Sequence, residues 1–211
     1  MDEIGLFPLG IVLVPGELTP LHIFEERYRE LIEECLERET EFGLIHEDRT
    51  GIRSVGTRAA VVEVLRRFPD GRLNIVAEGR GRFRLLEMTE GRSFLTARVE
   101  ELADTEGEGP PTEEEVAECL QTYGRLTEAA GVEPAEEATE LERLAATKAG
   151  ISFRVAGRIE FQPKVKQEVL EMRSERARVV RLTGLLEEAA ELVAFRQVVR
   201  ERAAGNGHVE R

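Results

Sequence analysis

Tryptophan is absent from this chain of 211 residues, and lysine, histidine, tyrosine and cysteine are scarce, at three, three, two and two. Each scarcity removes a class of chemistry. A phosphate-binding loop needs a Gly-Lys pair, so that backbone amides and an ammonium grip the phosphates; none of Lys148, Lys164 and Lys166 follows a glycine. Gly79-x-Gly81 opens like a dinucleotide fingerprint, but Arg84 occupies the third glycine position and the segment that follows is strand-like. His46-Glu47 opens like a zinc-protease helix, but Thr50 stands where the second ligand must be. The four serines, Ser54, Ser93, Ser152 and Ser174, carry no Gly-x-Ser-x-Gly elbow. Adjacent carboxylates such as Glu25-Glu26 and Glu33-Glu34 diverge around a helix and cannot share a site without help from other groups. The residues therefore point to no catalytic group, no metal and no cofactor. Cys35 and Cys119 fall on apolar helical faces, where a free thiol packs as a small hydrophobe, and a reducing cytoplasm is the expected compartment. No apolar run approaches the roughly 18 residues of a membrane span. The acidic start Met1-Asp2-Glu3 is unlike a basic secretory leader.

Acidic residues outnumber basic ones by 42 to 29, and the excess is local. Between Glu100 and Glu142 there are 15 acidic residues against a single basic one, Arg125, which leaves the remainder of the chain nearly neutral. A surface of this sign repels nucleic acid and anionic lipid, whose binding rests on cationic contacts to phosphate. The expectation is no nucleic-acid and no membrane partner. The segment reads as a solvated helical surface or as a docking face for a basic partner.

The apolar residues are patterned in two ways. The runs Leu6–Leu9 and Ile11–Val14 lack polar alternation and read as strands covered on both faces. Pro15-Gly16 forces a turn. After Thr19–Ile23, the residues Phe24, Tyr28, Leu31, Ile32, Cys35 and Leu36 recur at three- and four-residue steps, which predicts an amphipathic helix. Arg58–Phe68 and Arg72–Glu78 flank Pro69-Asp70-Gly71 and predict a β-hairpin. Arg82–Met88 and Ser93–Glu100 continue the strands. Asp104–Pro111 is polar and rich in Gly and Pro, and reads as a linker. Thr112 with Glu115 forms a capping-box signature ahead of Val116, Cys119, Leu120, Tyr123 and Leu126. Pro134 opens a second helix containing Leu141, Leu144 and Ala145. Ile151–Ile159 fits a strand or a helix, Pro163–Met172 reads as a short helix, and a long helix runs from about Ser174 with Val179, Leu182, Leu186, Ala189, Val193 and Val199 inside. The boundaries expected are a β domain over 1–103, a linker over 104–111, a helical domain over 112–203 and a frayed tail over 204–211.

The order of features from Leu6 to Arg29 resembles the start of the Lon protease N-terminal domain, the substrate-binding module of that S16-peptidase-related bacterial family. Phe42-Gly43-Leu44-Ile45, Val55-Gly56-Thr57, Pro69-Asp70-Gly71-Arg72 and Gly79-Arg80-Gly81-Arg82-Phe83-Arg84 are similar to successive family strands and turns. Lys166-Gln167-Glu168-Val169-Leu170-Glu171 resembles the family's Lys-Gln-x-x-Leu-Glu helix. The resemblance covers roughly residues 4 to 195. It implies an α+β fold, with an N-terminal PUA-like β pseudobarrel carrying one early helix and a C-terminal α-helical bundle, and it favours a helix over Ile151–Ile159.

It also implies a stand-alone, non-catalytic member without the ATPase motor or Ser-Lys proteolytic site of full-length Lon, binding unfolded or exposed hydrophobic segments of client polypeptides in protein quality control. An ATPase or protease partner in trans and weak homo-oligomerisation go with that reading. From the residues, the binding candidates are the apolar side chains about the first turn and helix: Leu9, Val14, Pro15, Leu21, Phe24 and Tyr28. Two alternatives remain. One is an RNA-binding PUA-like module, which the acidic balance and the 5% aromatic content oppose. The other is a hydrolase, which lacks a visible nucleophile and base.

Overall fold

The hairpin turn at Pro69–Gly71 organises the first half of the molecule. A computed structural model describes residues 2–105, 109–131 and 150–205, with side chains as far as Arg196. Gly71 takes a positive φ of 86°, which an L side chain resists. On either side of it run two strands of 17 residues, β4 (Gly51–Arg67) and β5 (Leu73–Thr89). Around them stand β1 (Asp2–Leu9), β2 (Leu18–Ile23), β3 (Phe42–Asp48) and β6 (Thr96–Glu101). The helices among the described residues are α1 (Glu26–Arg38), α2 (Glu113–Ala129), α3 (Ile151–Ala156), α4 (Pro163–Glu171) and α5 (Glu175–Gly205). The fold is α+β.

The sheet is mixed, in the order β2-β5-β4-β3-β1-β6, and β5 also pairs with β6. Five strands therefore close into a ring, which removes their edges. Among the described residues only β1–β3 is parallel, from Leu6↔Gly43 to Leu9↔His46. β2 stays outside the ring as an edge strand on β5, with Pro20 opposite Val76 and His22 opposite Asn74. The long strands do two jobs: Val55–Ala59 pairs with Gly79–Arg84 in the ring, and Ala60–Arg67 pairs with Leu73–Glu78 in the extension that β2 joins.

The chain divides into two compact units, Met1–Thr105 with Phe153–Arg173, and Glu106–Ser152 with Ser174–Arg211. In the first, Phe7, Leu13, Ile23, Tyr28, Leu31, Ile32, Phe42, Leu73, Ile75 and Phe94 fill the space between sheet and α1. A smaller cluster of Ile4, Leu6, Ile45, Phe83, Ala97 and Val99 adjoins it. Close packing fixes some glycines here. A Cβ on Gly79 would lie 2.2 Å from the Val14 carbonyl oxygen, and one on Gly56 would meet the Phe83 ring at 2.5 Å.

Residues 153–173, which the sequence pattern assigned to a helical half, belong to the sheet unit. Ion pairs and hydrogen bonds hold them there. Arg82, 6% exposed, donates to the carbonyl oxygens of Leu170 and Met172 at 2.8 and 2.6 Å and to Asp104 at 2.5 Å. Lys166 pairs with Glu17 at 2.5 Å, and Gln167 donates to the Val55 carbonyl at 3.0 Å. In the second unit Val116, Cys119, Tyr123 and Leu126 of α2 are buried, as are Val179, Leu182 and Leu186 of α5. The capping box is formed, with Glu115 N donating to Thr112 Oγ1 and Thr112 N donating to the Glu115 carboxylate. Buried Arg178 pairs with Glu175 and donates to Ser152.

Three expectations need correction. Ile11–Val14 is not a strand but a connection, exposed at Ile11 and buried from Val12 to Val14, whose backbone groups are taken up singly: Leu13 O accepts from Thr57 Oγ1 and Val14 N donates to Glu17. Phe24 is not helical, because α1 begins at Glu26. The segments 72–78 and 82–88 form one strand rather than two. Ile151–Ala156 is helical, in keeping with the family resemblance. The helix expected from Pro134 lies outside the described residues, as do part of the linker over 104–111, the Val199 side chain and the tail beyond Gly205.

Candidate functional site

β2 alternates strictly. Thr19, Leu21 and Ile23 turn toward the core, whereas Leu18, Pro20 and His22 are exposed, and Phe24 continues the outer row just past the strand's end. This period of two is how one strand feeds a core and a surface together. Phe24 is 60% exposed and Leu18 61%, too open for core residues. His22 stacks beside Phe24, with centroids 5.9 Å apart, and meets Phe68 edge-on at 6.1 Å. Its Nδ1 is 2.6 Å from Asn74 Oδ1. The guanidiniums of Arg66 and Arg72 lie over the Phe68 ring at 4.5 and 5.0 Å.

Two further apolar residues stand out from β4. Val62 and Leu65 fall at two of its three register shifts against β5, where an extra residue is left without a cross-strand partner, and they are 45% and 52% exposed. Charged groups border the row: Glu78 pairs across from Leu18, and Arg66 pairs with Asn74. At the hairpin tip, bonds from the Arg72 backbone and guanidinium hold the Asp70 carboxyl below its ordinary value. Arg29 of α1 donates to the Asp70 carbonyl at 2.7 Å, and Arg67 pairs with Glu33. The helix thus braces the back of the extension while its front stays open.

The six residues singled out from the sequence separate in this structure. Phe24 alone presents a broad exposed face. Val14 is wholly buried and Tyr28 is 5% exposed, so both are corrected to core: Tyr28 packs on Phe7 at 4.3 Å, and its burial raises the phenol's pKa. Leu9 and Leu21 are partly buried against the same core, and Pro15 is half-buried in its turn. Sequence reasoning passed over Leu18, Pro20, Val62, Leu65 and Phe68. The alternation Leu18-x-Pro20-x-His22-x-Phe24 was the available signal for the first two; the bulges that expose Val62 and Leu65 left none. No cluster of His, Cys, Asp and Glu able to hold a metal occurs among the described residues. Nor is any helix among them long and apolar enough to cross a membrane.

The geometry has known counterparts. The N-terminal domain of Mycobacterium avium complex Lon protease superposes with a TM-score of 0.67 at 17% identity, covering 90% of this chain and 98% of that one. A Lon N-terminal domain protein from Xanthomonas campestris gives 0.65 at 20% identity, covering 87% and 98%. In sequence the chain is 27% identical over 221 aligned residues to the Lon protease of Paraburkholderia phytofirmans, and 29% over 135 residues to that of Parabacteroides distasonis. The first alignment takes in 97% of this chain but 26% of the relative, and the second 60% and 16%. The chain thus spans about a quarter or less of the length of these relatives. The family model for the ATP-dependent protease La (LON) substrate-binding domain matches residues 3–188, and the chain belongs to that family.

Proposed function

We propose that this protein binds polypeptide, taking exposed hydrophobic or unfolded segments of client proteins on the outer face of β2 and the adjoining parts of β4 and β5. The observation that carries the reading is the row of Leu18 and Pro20 on an edge strand and Phe24 just past its end, open to solvent in a family described by substrate binding. Isolated exposed apolar residues are ordinary on protein surfaces, but a row of them with a charged border suits an extended partner. The short strand and its proline blunt strand addition at the free edge, so recognition falls to side chains. The chain acts here as a non-catalytic recognition or adaptor module in cytoplasmic proteolysis, with an ATPase or protease working in cis or in trans and at most weak self-association. In this reading the closed ring with β2 is a PUA-like pseudobarrel, and α2 with α5 belongs to a C-terminal helical bundle.

The test is the affinity for a chemically unfolded client, measured on the protein and on Phe24→Ala. Affinity falls by about 1–2 kcal/mol, as for truncation of a partly exposed hot-spot aromatic. Salt dependence is weak, because few ion pairs form on binding. Affinity that collapses between low and moderate salt, with RNA displacing the client, would overturn the proposal in favour of nucleic-acid binding.

A further inference from the structure

A second site lies in the sheet unit, where α4 meets the ends of β3 and β4. His46, Arg53, Lys164, Gln167, Glu168, Glu171 and Met172 line a cleft of about 450 Å³, within the roughly 300–1,000 Å³ typical of small-ligand sites. Four buried side-chain polar atoms lack a hydrogen-bond partner among the described residues, and three of them belong to this lining: His46 Nδ1, Arg53 Nε and Gln167 Oε1. Leaving such groups unpaired is costly, so their gathering at one cleft points to a ligand. His46 and Gln167 are 6% and 5% exposed. The orientation of Gln167 is fixed by its neighbours: Nε2 donates to Val55 O at 3.0 Å and to Glu171 Oε1 at 2.8 Å, both acceptors. A flipped amide would set oxygen against oxygen, so Oε1 is the unspent atom.

The charges narrow the ligand class. Arg53 reaches Asp48 through Nη2 at 2.6 Å, which leaves its Nε free, and Lys164 is exposed and forms no ion pair among the described residues. A simple anion would suit Lys164 and Arg53 but would face the Gln167 oxygen and the carboxylates of Glu168 and Glu171. A cation would suit those acceptors and oppose Lys164 and Arg53. A carboxylate carried beside an N–H donor answers both sets, the acid accepting from Lys164 and Arg53 and the N–H donating to Gln167 Oε1. His46 Nδ1 can take either part according to its tautomer.

We propose that this cleft captures a free carboxylate adjacent to an N–H group, as presented by a polypeptide C-terminus or by an N-acylated amino acid. The site is separate from the outer face of β2 and stands or falls independently of it.

The test uses a labelled hexapeptide of glycine, serine and alanine, which offers that apolar face nothing to hold. Fluorescence anisotropy compares its free-acid and C-terminally amidated forms on the whole protein, on Lys164→Gln and on Phe24→Ala. The free acid binds, whereas amidation and Lys164→Gln each weaken binding by about tenfold or more, the loss of one charge-assisted hydrogen bond. Phe24→Ala leaves it unchanged, and thermal denaturation shows that the exposed Lys164 can be replaced without unfolding. N-acetylalanine as competitor separates the sources. Displacement at the peptide's own concentration supports the site with a small free acid as ligand, and much weaker displacement supports it with a chain end. Equal affinity for acid and amide, indifference to Lys164→Gln, loss of binding in Phe24→Ala, or no binding at millimolar peptide would each overturn the proposal.

Discussion

The two faces of β2 are built from equally apolar residues and meet opposite fates. On the inner face Leu21 and Ile23 pack with Leu73, Ile75 and Tyr28 under the cover of α1. On the outer face Leu18, Pro20 and Phe24 are exposed, beside the ring contacts of His22 and the two guanidiniums over Phe68. Hydrophobicity alone therefore does not separate core from site in this chain. The separation comes from which face of the sheet α1 takes.

The comparison can be broken most forcefully at Tyr28. Tyr28→Ala opens a cavity beside Phe7 and is expected to lower folding stability by about 3–5 kcal/mol, with affinity changed only through unfolding. Denaturant titration beside client binding measures both. Phe24→Ala is the mirror case. Its side chain is mostly solvated, so the loss of stability should stay within about 0.5 kcal/mol, the usual range for surface substitutions, while binding suffers. Reversed outcomes at these two positions would mean that the faces have been assigned the wrong way round.

How much of this was legible beforehand depended on how local each cause is. The hairpin at Pro69–Gly71 and the capping box of Thr112 and Glu115 were readable because the residues that determine them lie within a few positions of each other. The connection Ile11–Val14 was not, since its partners Thr57 and Gly79 lie some way off in the chain. Phe24 and Tyr28 are four apart, and a helical step fitted both; the start of α1 at Glu26 divides them. The Lys-Gln-x-x-Leu-Glu signature marked α4, but nothing local shows that Lys166 finds Glu17 while Gln167 keeps an unspent oxygen.

Smaller effects sharpen the contrast between covered and open surface. Burial raises the pKa of the Cys35 thiol and takes Cys119 up to about 11. Both should react slowly with a thiol reagent at neutral pH and fast in denaturant, which stopped-flow labelling can follow. The stabilisation tied to the protonated Cys119 thiol holds below its ordinary 9.0 and is lost as pH rises toward about 11.

Exposed carboxylates act in the opposite direction. Hydrogen bonds from Thr50 and then Arg53 bring Asp48 down from 3.8 to about 2. The Thr112 backbone and Arg176 lower Glu115. What these groups contribute is complete above their unfolded values and is lost as pH falls, for Asp48 between about 4 and about 2. Thermal melts stepped through that window should decline less steeply for Asp48→Asn than for the unaltered protein.

The guanidinium of Arg82 ties the early chain to residues made much later. Two of its acceptors, the carbonyls of Leu170 and Met172, lie 88 and 90 residues further on. At roughly 5–20 residues per second, a ribosome takes on the order of 5–20 s to make the stretch between them. From the completion of β6 onward every strand of the ring exists, while the carbonyls that complete the burial of Arg82 do not. The sheet unit therefore cannot mature from its N-terminus alone. A nascent chain halted before Leu170 lacks both carbonyls, so the full seating of Arg82 waits for α4.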